Sequence, residues 1–71
     1  MKIEHRDKRF GVVAVEKGFI TKEQLFEALK IQMEENLEQG NHTLVGVILY
    51  RLGYLTKEQI DEILGAMRKK N

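Results

Sequence analysis

The chain has 71 residues, 42% of them hydrophobic, with no cysteine, no proline and a formal net charge of +1. This length allows one domain with a modest core, and the lack of cysteine excludes disulfides and thiolate-bound metals. No run approaches the roughly 18 apolar residues that span a membrane, and the charged N-terminal segment lacks the apolar core of a secretory signal. We therefore expect a cytoplasmic protein without a transmembrane segment, with a flexible basic segment over residues 1–8 and a single domain over residues 9–70.

Positive charge is concentrated at the two ends of the chain. Residues 1–10 carry four basic and two acidic side chains, residues 66–71 carry three basic ones, and the body between them carries five basic and nine acidic ones. The acidic body disfavours nucleic acid as a partner, because phosphates would repel it. The basic residues at the C-terminal end suit the negative end of a last helix dipole.

An internal repeat organises the chain. A shift of 35 residues places residues 10–32 on residues 45–67 without a gap, and eight of the 23 pairs are identical. The identical pairs are Gly11/Gly46, Val12/Val47, Gly18/Gly53, Thr21/Thr56, Lys22/Lys57, Glu23/Glu58, Gln24/Gln59 and Glu27/Glu62. The repeat predicts an all-α fold of four helices, as two tandem helix–turn–helix units packed on one core. Repeat one covers residues 9–32, a connector residues 33–43, and repeat two residues 44–67.

The first element of each repeat is an apolar, partly β-branched run, over residues 12–15 and 44–49, which also fits a strand. The glycines that frame each run and the cap signal behind it favour a short helix, and we predict a helix in both places. The longer stretch over residues 44–52 is apolar nearly all round, as in a helix buried on most sides. Its apolar excess could leave some surface for a partner.

Each repeat has the same turn chemistry between its two helices. A glycine suits the left-handed position just past the first helix, and a threonine followed three residues later by a glutamine has the spacing of a capping box. These turn and cap residues are Gly18, Thr21 and Gln24 in repeat one and Gly53, Thr56 and Gln59 in repeat two. The sequence therefore predicts that both second helices begin directly after their threonines.

The second helix of each repeat has apolar residues at helical spacing. They are Leu25, Leu29, Met33 and Leu37 in repeat one, and Ile60, Ile63, Leu64 and Met67 in repeat two. We predict one helix that runs to about Gln39, where Gly40–Asn41 ends it, and another from about Lys57 to Lys69. The acidic side chains near the end of the earlier helix, Glu34, Glu35 and Glu38, are predicted to form a solvated face.

Three glycines inside predicted helices need a compensating contact, since each costs about 1 kcal/mol relative to alanine. For Gly11 and Gly46 we favour close contact between helices of the two repeats over close approach of a ligand to the backbone. Gly65 likewise predicts close packing. The side chains that we predict in the core, rather than as a platform for a base, are Phe10, Val13, Leu25, Phe26 and Leu29.

The first repeat has a motif that resembles a known family. From Arg9 to Gln32 it has the form R-F-G-x-x-A-x-x-x-G-x-I-x-x-x-x-L-x-x-x-L-x-x-Q. This is similar to the repeated motif in the N-terminal domain of type II secretion and type IV pilus assembly ATPases, bacterial proteins that have two such motifs in tandem. Some members of that family bind cyclic di-GMP with these motifs. The resemblance extends over residues 9–67 and implies the same fold.

The resemblance also implies a nucleotide site. Arg9, the backbone around Phe10 and Gly11, and Gln32 would face one guanine half of the ligand. Arginine presents a planar fork to a phosphate or a guanine edge, and the glutamine amide both donates and accepts hydrogen bonds. In repeat two, Gly46 is kept as a further candidate, whereas leucine and methionine occupy the positions that match the arginine and the glutamine.

No catalytic set is visible in the sequence. It contains no Ser/His/Asp or Cys/His arrangement at recognisable spacing and no glycine-rich phosphate loop. The two histidines, His5 and His42, have no second metal ligand at zinc-site spacing. We therefore predict a protein that is not an enzyme and that needs neither a metal nor a cofactor.

Three function hypotheses remain. The first is a protein-docking or regulatory module whose partner belongs to secretion, pilus or related machinery. The second is a sensor of cyclic di-GMP, in which a homodimer could pair two intact first motifs around one ligand. The third, helix–turn–helix DNA binding, is an analogy of fold alone, and the acidic second helix disfavours it.

The charged start and the Arg-Lys-Lys-Asn end favour a free-standing protein.

Overall fold

The computed structural model describes residues 5–40 and 43–68. These residues form four helices and no strand: α1 (His5–Glu16), α2 (Lys22–Gln39), α3 (Val45–Arg51) and α4 (Lys57–Arg68). The prediction of an all-α fold is confirmed, and both apolar runs that also fitted a strand are helical. The predictions for Asn41, His42 and the basic residues 69–70 fall outside the described residues. None of the helices in the described ranges is long and apolar enough to cross a membrane.

The N-terminal boundary is earlier than the sequence predicts. We expected a flexible segment up to residue 8, but α1 begins at His5, so the helix includes residues 5–8. The physical reason is Asp7, whose side chain is buried with 6% exposure and anchors this first turn to the rest of the fold. The burial of Asp7 is not predictable from the sequence, because an acidic side chain in a basic segment is usually solvated.

The turns between paired helices follow the prediction at every position. Gly18 and Gly53 have φ values of +78° and +83°, which is the left-handed region that favours glycine. The following amides, those of Phe19 and Tyr54, donate to the carbonyls of Ala14 and Leu49 at 3.0 and 2.9 Å. With the glycine amides bonded three residues back, each turn is a Schellman motif.

Both predicted capping boxes are present. The Gln24 amide donates to the Thr21 hydroxyl at 3.1 Å, and the Thr21 amide donates to the Gln24 side chain at 2.9 Å. In repeat two, the Gln59 amide donates to the Thr56 hydroxyl at 3.1 Å, and the Thr56 amide donates to the Gln59 side chain at 3.0 Å. The end of α2 also follows the prediction, because Gly40 adopts a left-handed conformation with φ +70°.

The core lies where α3 packs against α1 and α2 while α4 packs against α1. Its buried residues are Phe10, Ala14, Ile20, Ala28, Val45, Ile48, Leu49, Leu55 and Ile63. Phe10 confirms the predicted core, and Val13, Leu25 and Leu29 pack against it partly buried. Both repeats therefore contribute to one core.

The prediction that Phe26 lies in the core is wrong, because its side chain is 62% exposed. The alignment of the two repeats explains this exposure. Phe26 occupies the same repeat position as Asp61, which is also exposed, so this position faces solvent in both repeats. The apolar residues at spacing four on α2 also differ in burial. Leu25 and Leu29 are partly buried, whereas Met33 and Leu37 are 46% and 72% exposed. A spacing of four residues drifts by about 40° per step around a helix, so the series leaves the core side of α2 towards its C-terminal end.

Two helical glycines mark close contacts, and the contact at Gly46 joins the two repeats as predicted. A Cβ atom on Gly46 would lie 3.0 Å from the Phe10 ring, which belongs to the other repeat. A Cβ atom on Gly11 would lie 2.6 Å from Leu25, so this contact joins the two helices of repeat one rather than the two repeats. The expectation of close packing at Gly65 is wrong, since, apart from its own stretch of helix, no described atom lies within 4 Å of a Cβ atom added there.

Replacing Gly65 by alanine is expected to stabilise the protein by about 1 kcal/mol, because alanine favours the helix and meets no neighbour. Urea unfolding followed by circular dichroism measures the change. Gly53→Ala is the matched control in the same repeat, and we expect it to destabilise the protein because φ is +83° there. Loss of stability in Gly65→Ala would show that a contact compensates for this glycine after all.

Candidate functional site

The structure separates the residues that the resemblance places around a nucleotide. Arg9 is exposed and lines a shallow depression along α1 with Lys8, Val12, Val13 and Glu16. Phe10 and Gln32 are both buried, with 6% exposure. Gly11 is buried under Leu25, and Gly46 packs on the Phe10 ring. The five candidates therefore occupy different environments, and no single surface includes all of them.

Gln32 takes part in a buried polar cluster. Its Nε2 atom donates to Asp7 Oδ2 at 2.5 Å and to the carbonyl oxygen of Thr43 at 2.9 Å. Because an amide nitrogen has two protons, both donors are committed inside the protein. The interpretation of Gln32 as a residue that reads a guanine edge is therefore not what its geometry supports.

Asp7 completes the cluster and caps α3 from a distant part of the chain. Its Oδ1 and Oδ2 atoms accept from the amide of Val45 at 3.0 and 3.1 Å. The N-cap residue of α3, Leu44, provides no side-chain hydrogen bond of its own. A carboxylate at this position satisfies a free amide and interacts favourably with the positive end of the helix dipole.

Sequence reasoning missed Asp7, although one signal was present. The two longer helices of the repeats begin at threonine caps, whereas α3 begins after an apolar leucine. A helix that starts without a capping side chain needs an acceptor from elsewhere. Nothing in the local pattern shows that Asp7 of α1 supplies it.

An apolar groove lies between α1, α3 and α4. It has a volume of about 300 Å³, and we call it the α3 groove. Its apolar walls are formed by Phe10, Leu44, Val47, Tyr50, Ile60 and Leu64, with Gly46 among the lining residues. Three charged residues also line it: Asp7, Lys57 and Asp61. Phe10 and Gly46 are thus the two nucleotide candidates that the groove brings together.

The helix α3 presents its outer face to this groove. Leu44, Val47 and Tyr50 are spaced by three residues and are 52%, 46% and 48% exposed. Its inner face, with Val45, Ile48 and Leu49, lies in the core. The apolar run that we predicted to be buried on most sides is therefore buried on one side and open on the other, as its apolar excess allowed.

Polar contacts tie α2 to repeat two. The hydroxyl of Tyr54 donates to Glu27 at 2.8 Å, and this hydrogen bond raises the pKa of Tyr54 above its usual value. The Arg51 guanidinium donates to Glu35 at 3.0 Å. The predicted solvated acidic face is therefore only partly free, because Glu35 is paired.

In comparisons with protein-family models, curated proteins and solved structures, the chain matched none of them. Within residues 5–40 and 43–68, no group of three or more acidic or histidine side chains could hold a metal ion. Among the described residues, the α3 groove brings exposed apolar side chains of α3 and α4 together.

Proposed function

We propose that the protein is a non-enzymatic protein-interaction module and that the α3 groove binds an apolar segment of a partner protein. The observation that supports this is the groove itself, which exposes three apolar side chains of α3 side by side and Leu64 of α4 at 41% exposure. Clustered apolar surface of this kind is typical of interaction sites, whereas isolated exposed leucines are not. Tyr50 adds an aromatic side chain, the residue class enriched in the centres of protein interfaces.

The resemblance of the repeat to the N-terminal domains of secretion and pilus ATPases supports a partner from such machinery in the cytoplasm. In repeat two, Leu44 lines the groove at the position that matches Arg9 of repeat one. The second copy of the motif thus has an apolar side chain where the first has a cation. This change suits an apolar protein segment better than a phosphate-bearing ligand.

The cyclic di-GMP hypothesis has weaker support. Arg9 is exposed along α1, while the amide donors of Gln32 are engaged by Asp7 and Thr43. Binding one guanine between them would require the buried cluster to open. We therefore place the nucleotide second and include it as an arm of the test.

The test selects short peptides from a random displayed library against the folded protein. We expect the selected peptides to have apolar residues at helical spacing and to shift the amide resonances of α3 and α4 in nuclear magnetic resonance spectra. Val47→Glu should weaken their binding at least about tenfold. Val12→Glu, which makes the same change at the matching valine of repeat one, with 44% exposure on α1, is the matched control and should leave binding unchanged.

Two results would contradict the proposal. One is that no selected peptide shifts the α3 and α4 resonances, or that the peptides which do so bind Val47→Glu as tightly as the unchanged protein. The other is a response to millimolar cyclic di-GMP at Phe10 and Gly46 that Arg9→Ala abolishes, since this would assign the groove to a nucleotide.

A further inference from the structure

A second apolar surface runs along the outer side of α2, outside the α3 groove. Phe26, Met33 and Leu37 are 62%, 46% and 72% exposed. At about 100° of rotation per residue their side chains fall within roughly 40° of one another around the helix axis. They form a line about 16 Å long, which we call the α2 stripe. None of these residues lines the α3 groove.

The α2 stripe is separate from the side of α2 that packs on the core. The core-facing side of α2 includes Ala28, which is fully buried, and the partly buried Leu25 and Leu29. The stripe lies on a different side, with no described helix packed over it. Three large apolar side chains in one line on a solvent-facing helix are the pattern of a helix that pairs with another helix.

Acidic side chains border the α2 stripe along one edge. At the same rotation per residue, Glu23, Glu34 and Glu38 lie about 60° to 120° from Phe26, all in the same direction, and all three are exposed. A fourth, Glu27, lies on this edge and accepts the hydrogen bond of Tyr54.

The cations of α2 are fewer. Lys30 lies about 40° from Phe26, between the stripe and the acidic edge, and Lys22 lies about 40° from Phe26 in the opposite direction. In total α2 has five acidic and two basic side chains, a net charge of −3. The stripe therefore combines an apolar line with an excess of negative charge along one edge.

The apolar line and the acidic edge together indicate which kind of partner fits the α2 stripe. In an antiparallel pair of two α2 helices, equivalent edges face each other, so the acidic edge of one copy would lie against the acidic edge of the other. Like charges across a helix pair are destabilising. Anionic lipid would also be repelled. A helix with a line of apolar residues and a basic edge would bury the stripe and neutralise Glu23, Glu34 and Glu38.

We infer that the α2 stripe binds a basic amphipathic helix of a partner protein. Leucine-sized side chains of that helix pack on Phe26, Met33 and Leu37, and its lysines or arginines pair with the acidic edge. This inference goes beyond the proposed function, because the surface, its charge and its occupant differ from those of the α3 groove. A chain with both surfaces can hold two partners at the same time.

The test uses a synthetic 14-residue peptide of leucine and lysine in a heptad pattern as the probe, with fluorescence anisotropy and amide shift mapping as measurements. We expect the largest shifts along α2. Leu37→Ser should weaken binding about tenfold or more, and the pair Glu34→Lys and Glu38→Lys about fivefold. Added salt should shrink the effect of the charge reversals, and Lys30→Glu should tighten binding.

Matched controls separate this surface from the α3 groove. Val47→Glu adds a negative charge outside the α2 stripe and should leave binding of the leucine–lysine peptide unchanged. A leucine–glutamate peptide of identical pattern should bind at least about tenfold more weakly. All substituted side chains are exposed, and circular dichroism checks that each variant keeps its helices.

Four results would overturn the inference. The leucine–glutamate peptide could bind equally well, or the shifts could map to the α3 groove and vanish in Val47→Glu. The protein alone could co-sediment with vesicles of neutral phosphatidylcholine and lose this binding in Leu37→Ser, which would make the stripe a membrane-binding face. Sedimentation could show a dimer that Leu37→Ser dissociates and the peptide does not, which would assign the stripe to a second copy. Each of these leaves the peptide selection for the α3 groove as a separate test.

Discussion

Replacing Asp7 by alanine is expected to destabilise the protein by about 3 kcal/mol. The change leaves the Val45 amide and one Nε2 proton of Gln32 without their acceptor in a buried place, and an unsatisfied buried group costs roughly 1–3 kcal/mol. It also removes the negative charge at the start of α3. For a domain of this size the melting temperature should fall by roughly 10–25 °C, measured by circular dichroism.

The controls for this prediction lie in the same cluster and the same helix. Lys8→Ala changes the exposed neighbour of Asp7 and should alter stability by less than about 0.5 kcal/mol. Gln32→Ala should also destabilise, and the double variant should cost less than the sum, because the two residues share a hydrogen bond. Equal stabilities for Asp7→Ala and Lys8→Ala would refute the cap that the structure shows.

The result also bears on the role of Gln32. A residue kept to read a ligand can be truncated with little loss of stability in the free protein. A residue that orients Asp7 and satisfies the Thr43 carbonyl cannot, since its loss removes one donor from Asp7 and the Gln32 donor from the carbonyl. A large loss of stability in Gln32→Ala therefore assigns this glutamine to the fold, whatever the protein binds.

The parts of the fold that the sequence predicted correctly are those that depend on near neighbours. The Schellman turns at Gly18 and Gly53 and the capping boxes at Thr21 and Thr56 use hydrogen bonds that join residues at most five apart. Because the repeat shows each of these patterns twice, a chance occurrence in one copy is also easy to reject. Local chemistry repeated at a fixed interval was sufficient for the helix pairs and their order.

The parts that the sequence did not predict depend on contacts between distant residues. Asp7 caps a helix that starts 38 residues later, and no local pattern encodes that pairing. Phe26 and Leu37 are large apolar residues of the kind expected in a core. Whether their side chains are buried depends on which side of α2 packs against α3 and α1. The α3 groove depends on three helices together. The candidate surfaces therefore became visible only with the tertiary structure.

Replacing Gly46 by valine is expected to destabilise the protein by about 2 kcal/mol. A Cβ atom there would lie 3.0 Å from Cε1 and Cζ of Phe10, closer than ordinary van der Waals contact, and the valine methyl groups would extend further. Phe10 is 6% exposed, so its ring has little room to retreat. Overpacking of this kind costs typically 1–3 kcal/mol, which outweighs the few tenths that valine gains over glycine in a helix.

The same contact can be relieved from its other side. Phe10→Leu removes the atoms that the new side chain would meet, so Gly46→Val should cost clearly less in the Phe10→Leu background than alone. Gly65→Val, at a helical glycine with no atom within 4 Å, is the control and should be close to neutral. An unchanged cost in both backgrounds would show that the ring is not what requires this glycine. Coupling between the two positions would instead explain why repeat two keeps Gly46 although it lacks the polar residues of the nucleotide motif. The glycine leaves room for the phenylalanine of repeat one, and this contact joins the two repeats.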